Sequence, residues 1–293
     1  MIPEGFRSGY VALIGKPNVG KSTLLNILIG QKLSIVTSKA QTTRHRVLGI
    51  LTDDTTQVIF LDTPGIMCPN TRLDRSMMQK VRESVADADL IIYMTDARSV
   101  EPDLKSLETI TDQPAILALN KADLVRQEQM IPLADAYTSL RSFEAVIPIS
   151  ALKGINLDAL MGEVRAFLPA GPPFYPSEML SEHPERFFVA EIIREKVFEK
   201  FRQEIPYSST VTISSFIERT DGKDLIEAEI IVERPSQKGI MIGAKGQALK
   251  VVGISARRDI EVFLEREVYL KLFVRVRKDW RNQDRFLRSY GYK

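Results

Sequence analysis

A run of eight residues, Gly15-Lys16-Pro17-Asn18-Val19-Gly20-Lys21-Ser22, limits what this chain can fold into more than any other feature. It directly follows the apolar segment Tyr10–Ile14 and opens an amphipathic stretch, so it predicts a strand, a tight glycine loop and a helix. In such a loop the backbone N–H groups turn inward around phosphate, and the Lys21 ammonium reaches the β- and γ-phosphates. The Ser22 hydroxyl can ligate Mg²⁺. The run, together with Thr23, therefore predicts a nucleoside triphosphate site.

Up to about residue 168, short apolar segments alternate with amphipathic ones. The predicted strands are Tyr10–Ile14, Val47–Leu51, Val58–Leu61, Leu90–Met94, Ala115–Leu119 and Val146–Ile149. The predicted helices are Lys21–Leu28, Arg72–Val85, Asp103–Ile110, Leu133–Leu140 and Leu157–Leu168. This alternation predicts an α/β domain with a mostly parallel sheet. Because the second and third strands are joined by a stretch too short for a helix, they predict a hairpin and one antiparallel edge strand.

Two further strand ends carry polar residues that favour a guanine nucleotide. The third strand leads into Asp62-Thr63-Pro64-Gly65 and then Ile66; the Asp62 carboxylate can hold Mg²⁺ through water, and the Gly65 N–H can bond the γ-phosphate. The fifth strand leads into Asn120-Lys121-Ala122-Asp123, where the Asp123 carboxylate can accept two bonds from guanine N1–H and the 2-amino group. Adenine offers no such pair of donors.

A third strand end completes the predicted base site. Ser150-Ala151 follows the sixth strand, and the Ala151 N–H can bond guanine O6, while the stem of Lys121 stacks on the ring. Since ligands bind at the carboxyl ends of the strands in open α/β sheets, all four segments are expected to meet at one edge.

Composition divides the chain into two parts. The formal net charge is −3 over residues 1–183 and +5 over 184–293, which favours a polyanion as partner of the C-terminal part. Prolines are dense between residues 168 and 184, so we predict a domain over 1–170, a linker over 171–185 and a second domain over 186–293. The single Cys68, the absence of a long apolar run and an N-terminus unlike a signal peptide indicate a cytoplasmic protein.

The second domain is predicted to be α+β and to bind RNA. Its predicted elements, in the order α-β-β-α-β, are Phe187–Phe201, Thr210–Glu218, Leu225–Val232, a helix opened by the glycine loop Gly239–Gly246, and Val268–Arg277. Within that loop, Ile242-Gly243-Ala244-Lys245-Gly246 is a G-x-x-G sequence flanked by Lys238 and Lys250. Paired glycines let a nucleic-acid backbone come close, as in KH domains, here in the type II order. The basic run Arg275–Arg288 either extends this RNA surface or is a solvated end.

The N-terminal segments resemble those of the translation-factor-like P-loop GTPases. By this resemblance a threonine of the first switch loop completes the Mg²⁺ ligands Ser22 and Asp62; Thr43 is preferred and Thr42 is the competitor. Lys21, Thr43 and Gly65 are then the catalytic positions. Many small GTPases place a water-orienting glutamine where this chain has Ile66. The resemblance also implies that Asn18 is a possible K⁺ ligand, as in some members that carry such a hydrophobic replacement.

The whole chain resembles the Era family of bacterial GTPases. The stretches that carry the resemblance are Gly15–Thr23, Gln41–Arg46, Asp62–Gly65, Ala190–Lys196, Ile205–Ser208 and Ile242–Gly246. The resemblance implies GTP hydrolysis to GDP and phosphate, nucleotide-controlled binding of the KH domain near the 3′ end of 16S rRNA, and assistance to 30S subunit assembly. Two alternatives remain open: a signalling GTPase in peripheral contact with the inner membrane, and an RNA-binding module with little turnover.

Overall fold

The computed structural model describes Gly5–Lys293; Met1–Glu4, which belong to the segment weighed above as a signal peptide, lie outside the described residues. The chain divides into two compact units, each described here by itself. Of the described residues, the first contains 5–34, 43–68 and 77–182, and the second contains 35–42, 69–76 and 183–293. Within Gly5–Lys293, no helix combines the length and the hydrophobicity needed to cross a bilayer.

The first unit is built on a six-stranded sheet. Its strands are β1 (Arg7–Ile14), β2 (Val47–Thr52), β3 (Thr56–Asp62), β4 (Leu90–Asp96), β5 (Ala115–Asn120) and β6 (Ala145–Ile149), in the spatial order β2-β3-β1-β4-β5-β6. Only β2 runs antiparallel to its neighbour. The inner strands are buried almost without interruption, as expected when helices cover both faces. The predicted α/β fold with one antiparallel edge strand is confirmed.

The helices of this part of the chain connect the strands. They are α1 (Lys21–Ile29), α2 (Arg72–Asp87), α3 (Leu104–Leu107), α4 (Gln127–Leu140) and α5 (Leu157–Phe167), and α2 begins within the residues assigned to the second unit. Two predictions were wrong in length. α3 has four residues rather than eight. α4 begins six residues early and runs through Pro132, because the Gln129 side chain accepts the Arg126 N–H (3.0 Å) and closes its first turn.

The second unit packs helices on one face of a three-stranded sheet. Its elements are α6 (Glu185–Lys200), α7 (Ile205–Ser208), β7 (Thr210–Ile217), β8 (Asp224–Val232), α8 (Pro235–Ile242), α9 (Gln247–Leu264), β9 (Val268–Val276) and α10 (Asp284–Ser289). The spatial order is β7-β8-β9, with β8 antiparallel to β7 and parallel to β9. Residues from α6, α8 and α9 share one buried core with the sheet.

The order around the glycine loop differs from the prediction, because α8 lies where a loop was expected. Pro235 stands at the first helical position, and the Gln237 side chain accepts the Glu233 N–H (3.0 Å) and the Arg234 N–H (3.1 Å). Gly239, a weak helix former, concealed this helix in the sequence. Gly243 ends it with φ +72°, and a Cβ there would lie 2.7 Å from the Ala248 Cβ, so glycine is required.

Candidate nucleotide site and RNA groove

The glycine loop between β1 and α1 holds its lysine in place. Lys21 is buried, and its Nζ donates to Gly15 O (3.0 Å) and Lys16 O (2.9 Å). Burial lowers the pKa of Lys21 from 10.5 to about 8, and the charge of Asp62 opposes that shift. The ammonium is therefore aimed into a loop of backbone groups that contains no full counter-charge in hydrogen-bond contact, which suits it to a phosphate.

The lowered pKa of Lys21 predicts that GTP binding depends on pH. Unliganded Lys21 loses its proton above about pH 8, whereas a bound triphosphate favours the charged form. GTP binding should therefore take up almost no proton at pH 7 and up to one at pH 9, and affinity should fall by as much as tenfold per pH unit above 8. Titration calorimetry in buffers of different ionisation enthalpy measures this uptake. Equal enthalpies in all buffers at pH 9 would contradict the prediction.

The lowered pKa of Lys21 affects stability in the opposite direction: GTP affinity falls as pH rises, but the stability of the protein without ligand increases. The folded-state pKa lies below 10.5, so between about pH 8 and 10.5 the unfolded chain binds more protons than the folded chain. This group's contribution to the free energy of unfolding therefore rises with pH across that window.

Three oxygen-bearing side chains meet beside this lysine. Ser22 Oγ donates to Asp62 Oδ2 (2.6 Å), and a hydrogen bond of 2.8 Å joins Ser22 Oγ and Thr43 Oγ1. Asp62 is fully buried, and its Oδ1 has no hydrogen-bond partner among residues 5–293. Burial raises the pKa of Asp62, while the bond from Ser22 and the charge of Lys21 oppose the rise. Two hydroxyls and one carboxylate with a spare oxygen match the hard oxygen ligands that Mg²⁺ requires.

Thr42, the competing residue, is engaged elsewhere. A 2.7 Å hydrogen bond joins its hydroxyl to that of Thr37, and the same hydroxyl lies 2.7 Å from Lys39 O. Of the two adjacent threonines, the structure brings only Thr43 to Ser22 and Asp62 within the first unit.

The loop after β3 lies against the phosphate loop. Thr63 Oγ1 donates to Leu13 O (2.7 Å), and the Ile66 N–H donates to Gly15 O (3.1 Å). Gly65 comes so close that a Cβ would lie 2.5 Å from Pro17 N, so only glycine fits between the two loops. The Ile66 side chain is buried and apolar, so it has no atom with which to orient a water molecule.

Asn120 links three segments of the predicted base site. Its Nδ2 donates to Val19 O (2.7 Å), and its Oδ1 accepts the Ala151 N–H (2.9 Å). The N–H expected to bond guanine O6 is therefore already used by Asn120, and a bound base would have to share it. Ser150 is buried and accepts the Lys153 N–H (3.2 Å). The predicted residues meet, but the amide of Asn120 organises them.

Lys121 and Asp123 stand at the rim of the same site. Lys121 has φ +66°, and its Nζ donates to Asn18 O (2.8 Å) and to Asp96 Oδ2 (2.7 Å). Asp123 lies in a short 3₁₀ turn with an exposed side chain, open to a ligand. Asp96 also accepts two bonds from the Arg98 guanidinium and one from the Arg98 N–H. Desolvation raises the pKa of Asp96, but the hydrogen bonds from Arg98 and Lys121 outweigh it and hold that pKa far below its usual range.

Sequence reasoning missed Asp96 as a partner of Lys121. The signal that identified Asp62 was available, since Asp96 is likewise the last residue of a buried strand, β4. Asn18, the possible K⁺ ligand, has φ +63° and offers its carbonyl to Lys121.

The G-x-x-G loop opens one end of a groove between α9 and β9. The groove has a volume of about 410 Å³ and is lined by Gly246, Leu249, Lys250, Gly253, Ile254, Arg257, Leu270 and Leu272. Two of the predicted RNA residues, Gly246 and Lys250, line it directly. Ala244 and Lys245 are exposed in the loop at its mouth, with Lys245 at φ +50°. An apolar floor with cations along the rim is the arrangement that single-stranded RNA requires.

The other predicted RNA residues stand nearby in the chain. Ile242 is half-buried at the end of α8, and Lys238 is exposed on the same helix. The groove walls Leu270 and Leu272 were not predicted, because apolar residues on alternate positions of a strand indicate core packing in the sequence.

Comparisons with known proteins find relatives of both parts of the chain. Residues 10–121 match the family model described as 50S ribosome-binding GTPase, and residues 204–281 match the KH domain. The chain is 48% identical to GTPase Era of Syntrophus aciditrophicus, over 98% of this chain and 95% of that protein.

Two solved structures superpose on almost the whole chain. Each has a TM-score of 0.94 and 41% identity and covers 98% of this chain and 99% of its own. One is Era of Aquifex aeolicus bound to GDP and AlF4⁻, and the other is Era in complex with MgGDPNP and nucleotides 1506–1542 of 16S ribosomal RNA. With a P-loop GTPase fold, a KH domain and this degree of identity over its full length, the chain belongs to the GTPase Era family and is a GTP hydrolase.

Proposed function

We propose that this GTPase is a nucleotide-controlled switch that binds 16S rRNA near its 3′ end and assists assembly of the 30S subunit in the cytoplasm. The observation that carries the switch is the meeting of Ser22, Asp62 and Thr43, since it joins the phosphate loop to both loops expected to sense the γ-phosphate. The rRNA assignment is supported by the groove between α9 and β9 and by the similar protein solved with nucleotides 1506–1542 of 16S rRNA. A peripheral membrane contact stays a prediction.

The residues of this chain explain both how GTP would be bound and why its hydrolysis would be slow. Lys21 and the N–H groups that open α1 hold the phosphates, Asp123 and Lys121 hold guanine, and Ser22, Thr43 and Asp62 hold Mg²⁺. Bound Mg²⁺ would neutralise charge that develops on the phosphate oxygens. The backbone of Gly65 can donate to the γ-phosphate. Because Ile66 cannot orient water, we expect low basal turnover that rises only when a partner completes the site.

The two adjacent threonines provide a matched test of the metal ligands. We expect Thr43→Ala to lower Mg²⁺-dependent GTP turnover by about 10- to 100-fold, because it removes an oxygen from the Ser22–Asp62 cluster. The Thr42 hydroxyl bonds the Thr37 hydroxyl and Lys39 O instead. The turnover of Thr42→Ala should therefore stay within about threefold of that of the parent protein. Turnover measured across a Mg²⁺ titration separates the two. The reverse order of effects would assign the ligand to Thr42.

Asn18 provides the test of the proposed K⁺ site. We expect faster GTP hydrolysis in KCl than in NaCl at equal ionic strength, and we expect Asn18→Ala to remove the difference, because a carboxamide oxygen can ligate a monovalent cation beside the phosphates. Equal rates in the two salts for the parent protein would contradict this role.

How nucleotide state reaches the RNA domain is suggested by contacts inside the second unit. There Glu195 Oε1 accepts the Val36 N–H (3.0 Å), and the buried Arg194 donates to Thr42 O (2.5 Å). Thr42 precedes the proposed ligand Thr43. Ordering of Thr43 by GTP and Mg²⁺ would therefore also restrain Thr42 and, through its carbonyl, Arg194 of α6. We propose that this is how hydrolysis changes RNA affinity.

The deciding experiment measures GTP turnover with and without RNA of nucleotides 1506–1542 of 16S rRNA. A scrambled RNA of equal length is the control. We expect a slow basal rate that only the native sequence raises, and different RNA affinities with GDP and with GDPNP. Equal RNA affinity in the two nucleotide states would contradict the switch.

A further inference from the structure

The sheet of the KH domain has a second face, which carries exposed aromatic side chains. Successive residues of a strand alternate between faces, so Tyr269, Lys271, Phe273 and Arg275 of β9 share the face turned away from the helices. Tyr269 is 55% exposed and Phe273 is 47% exposed. Along this face rings and cations alternate, and packing of the domain does not account for rings this exposed.

The C-terminal segment of the domain carries two more rings. Phe286 and Tyr290 are stacked, with centroids 5.9 Å apart and planes at 9°, and the Arg285 guanidinium lies 4.5 Å above Phe286. Burial raises the pKa of Tyr290 while the charges of Arg277 and Arg275 lower it, which places both guanidinium groups beside this ring. We call the set Tyr269, Phe273, Phe286 and Tyr290, with the cations between them, the aromatic strip.

The strip is anchored and carries excess positive charge. Trp280 is buried and donates to Ser208 O (2.9 Å), which fixes the start of the C-terminal segment on the domain. Lys271 and Arg275 are paired with glutamates of β8. By contrast, Arg277, Lys278, Arg285 and Arg288 have no carboxylate within ion-pair distance in the part of the chain that the structure describes. Stacked rings with unpaired guanidinium groups suit a ligand that offers flat aromatic faces and negative charge together.

We infer that the aromatic strip is a second binding site for single-stranded RNA, which stacks the bases of nucleotides beyond those held in the groove. This inference rests on the proposed RNA-binding function. A KH groove clamps about four nucleotides, so a longer strand needs further protein surface. β9 serves both sites: Leu270 and Leu272 line the groove, and their neighbours Tyr269 and Phe273 belong to the strip. The excess of cations without a carboxylate partner favours a nucleic-acid strand, because each nucleotide supplies one phosphate charge beside one flat base.

The test compares the parent protein with the double variant Tyr269→Leu/Phe273→Leu. Leucine keeps apolar area but removes the aromatic face, so we expect affinity for nucleotides 1506–1542 of 16S rRNA to fall at least tenfold, because base stacking is lost at two positions. Binding of a four-nucleotide RNA that fills only the groove should not change. Val262→Ala, another exposed apolar residue of the domain, is the control and should bind both RNAs like the parent.

The cations give an independent signature. Arg285→Gln should reduce the slope of log affinity against log salt by about 0.7, the value for one phosphate contact on a single strand, while the leucine variant should keep the parent slope. Unchanged long-RNA affinity in the leucine variant, or an equal loss for both RNAs, would overturn the strip as an RNA site. If the leucine variant kept its RNA affinity but bound ribosomal protein less well, the strip would be a protein-docking surface instead. A parent protein that bound neither RNA would instead overturn the proposed function itself.

Discussion

Replacing Lys21 with alanine should lower kcat/KM for GTP by about three orders of magnitude. The buried ammonium lies 3.0 Å from Gly15 O and 2.9 Å from Lys16 O, so two backbone carbonyls fix its position in the loop. Each hydrogen bond to a charged group contributes about 1.5–3 kcal/mol, and we expect two such bonds to the β- and γ-phosphates. Steady-state hydrolysis together with nucleotide binding measures the loss in kcat and in affinity separately.

The neighbouring lysine of the same loop is the control for that variant. The Lys16 side chain is 59% exposed and makes an ion pair with Asp103 (3.2 Å) rather than pointing into the loop. Lys16→Ala should therefore change kcat/KM by less than about threefold, as is typical when an exposed ion pair is lost. Similar losses in the two variants would mean that overall charge, and not the position of the Lys21 ammonium, governs phosphate binding.

Replacing Asp123 with asparagine should exchange the base preference of the site. The exposed carboxylate is expected to accept bonds from guanine N1–H and the 2-amino group, and an amide cannot accept both. Loss of two charge-assisted bonds predicts GTP affinity lower by about 10²- to 10⁴-fold. Xanthine carries a carbonyl oxygen in place of that amino group, so XTP should bind the variant more tightly than GTP. Competition binding with GTP, XTP and ATP measures the exchange.

A nearby carboxylate provides the comparison for Asp123→Asn. Glu128 is exposed on the first turn of α4, and Glu128→Gln removes the same charge without touching the base site. This variant should retain the nucleotide preference of the parent. If Asp123→Asn bound GTP like the parent, the base would not be read by this residue.

Much of the nucleotide site could be predicted because its residues stand where buried strands end. Asp62 and Asn120 are the last residues of β3 and β5, and Ser150 follows β6. Alternating apolar segments locate those ends in the sequence, and parallel strands bring them to one edge. Asp96 is also the last residue of a buried strand, so the same rule would have identified it as a residue of this site.

What the sequence could not provide depends on loops, which have no periodicity. Thr42 and Thr43 are adjacent and chemically identical, and only the path of the loop turns one hydroxyl toward Ser22 and the other toward Thr37. The use of the Ala151 N–H by Asn120 is likewise a matter of tertiary geometry. Helix α8 was missed because Gly239 lowers helix propensity, whereas packing of Met241 in the core sustains the helix.

The side chain of Asn120 couples the two loops that are expected to hold opposite ends of a nucleotide. Its amide donates to Val19 O and accepts the Ala151 N–H, so one side chain ties the base loop to the phosphate loop. Either loop can shift only if this amide shifts with it or loses a hydrogen bond. A substitution at Asn120 would therefore disturb base contacts and phosphate contacts together, whereas substitution of an exposed rim residue changes only the contacts which that residue makes itself.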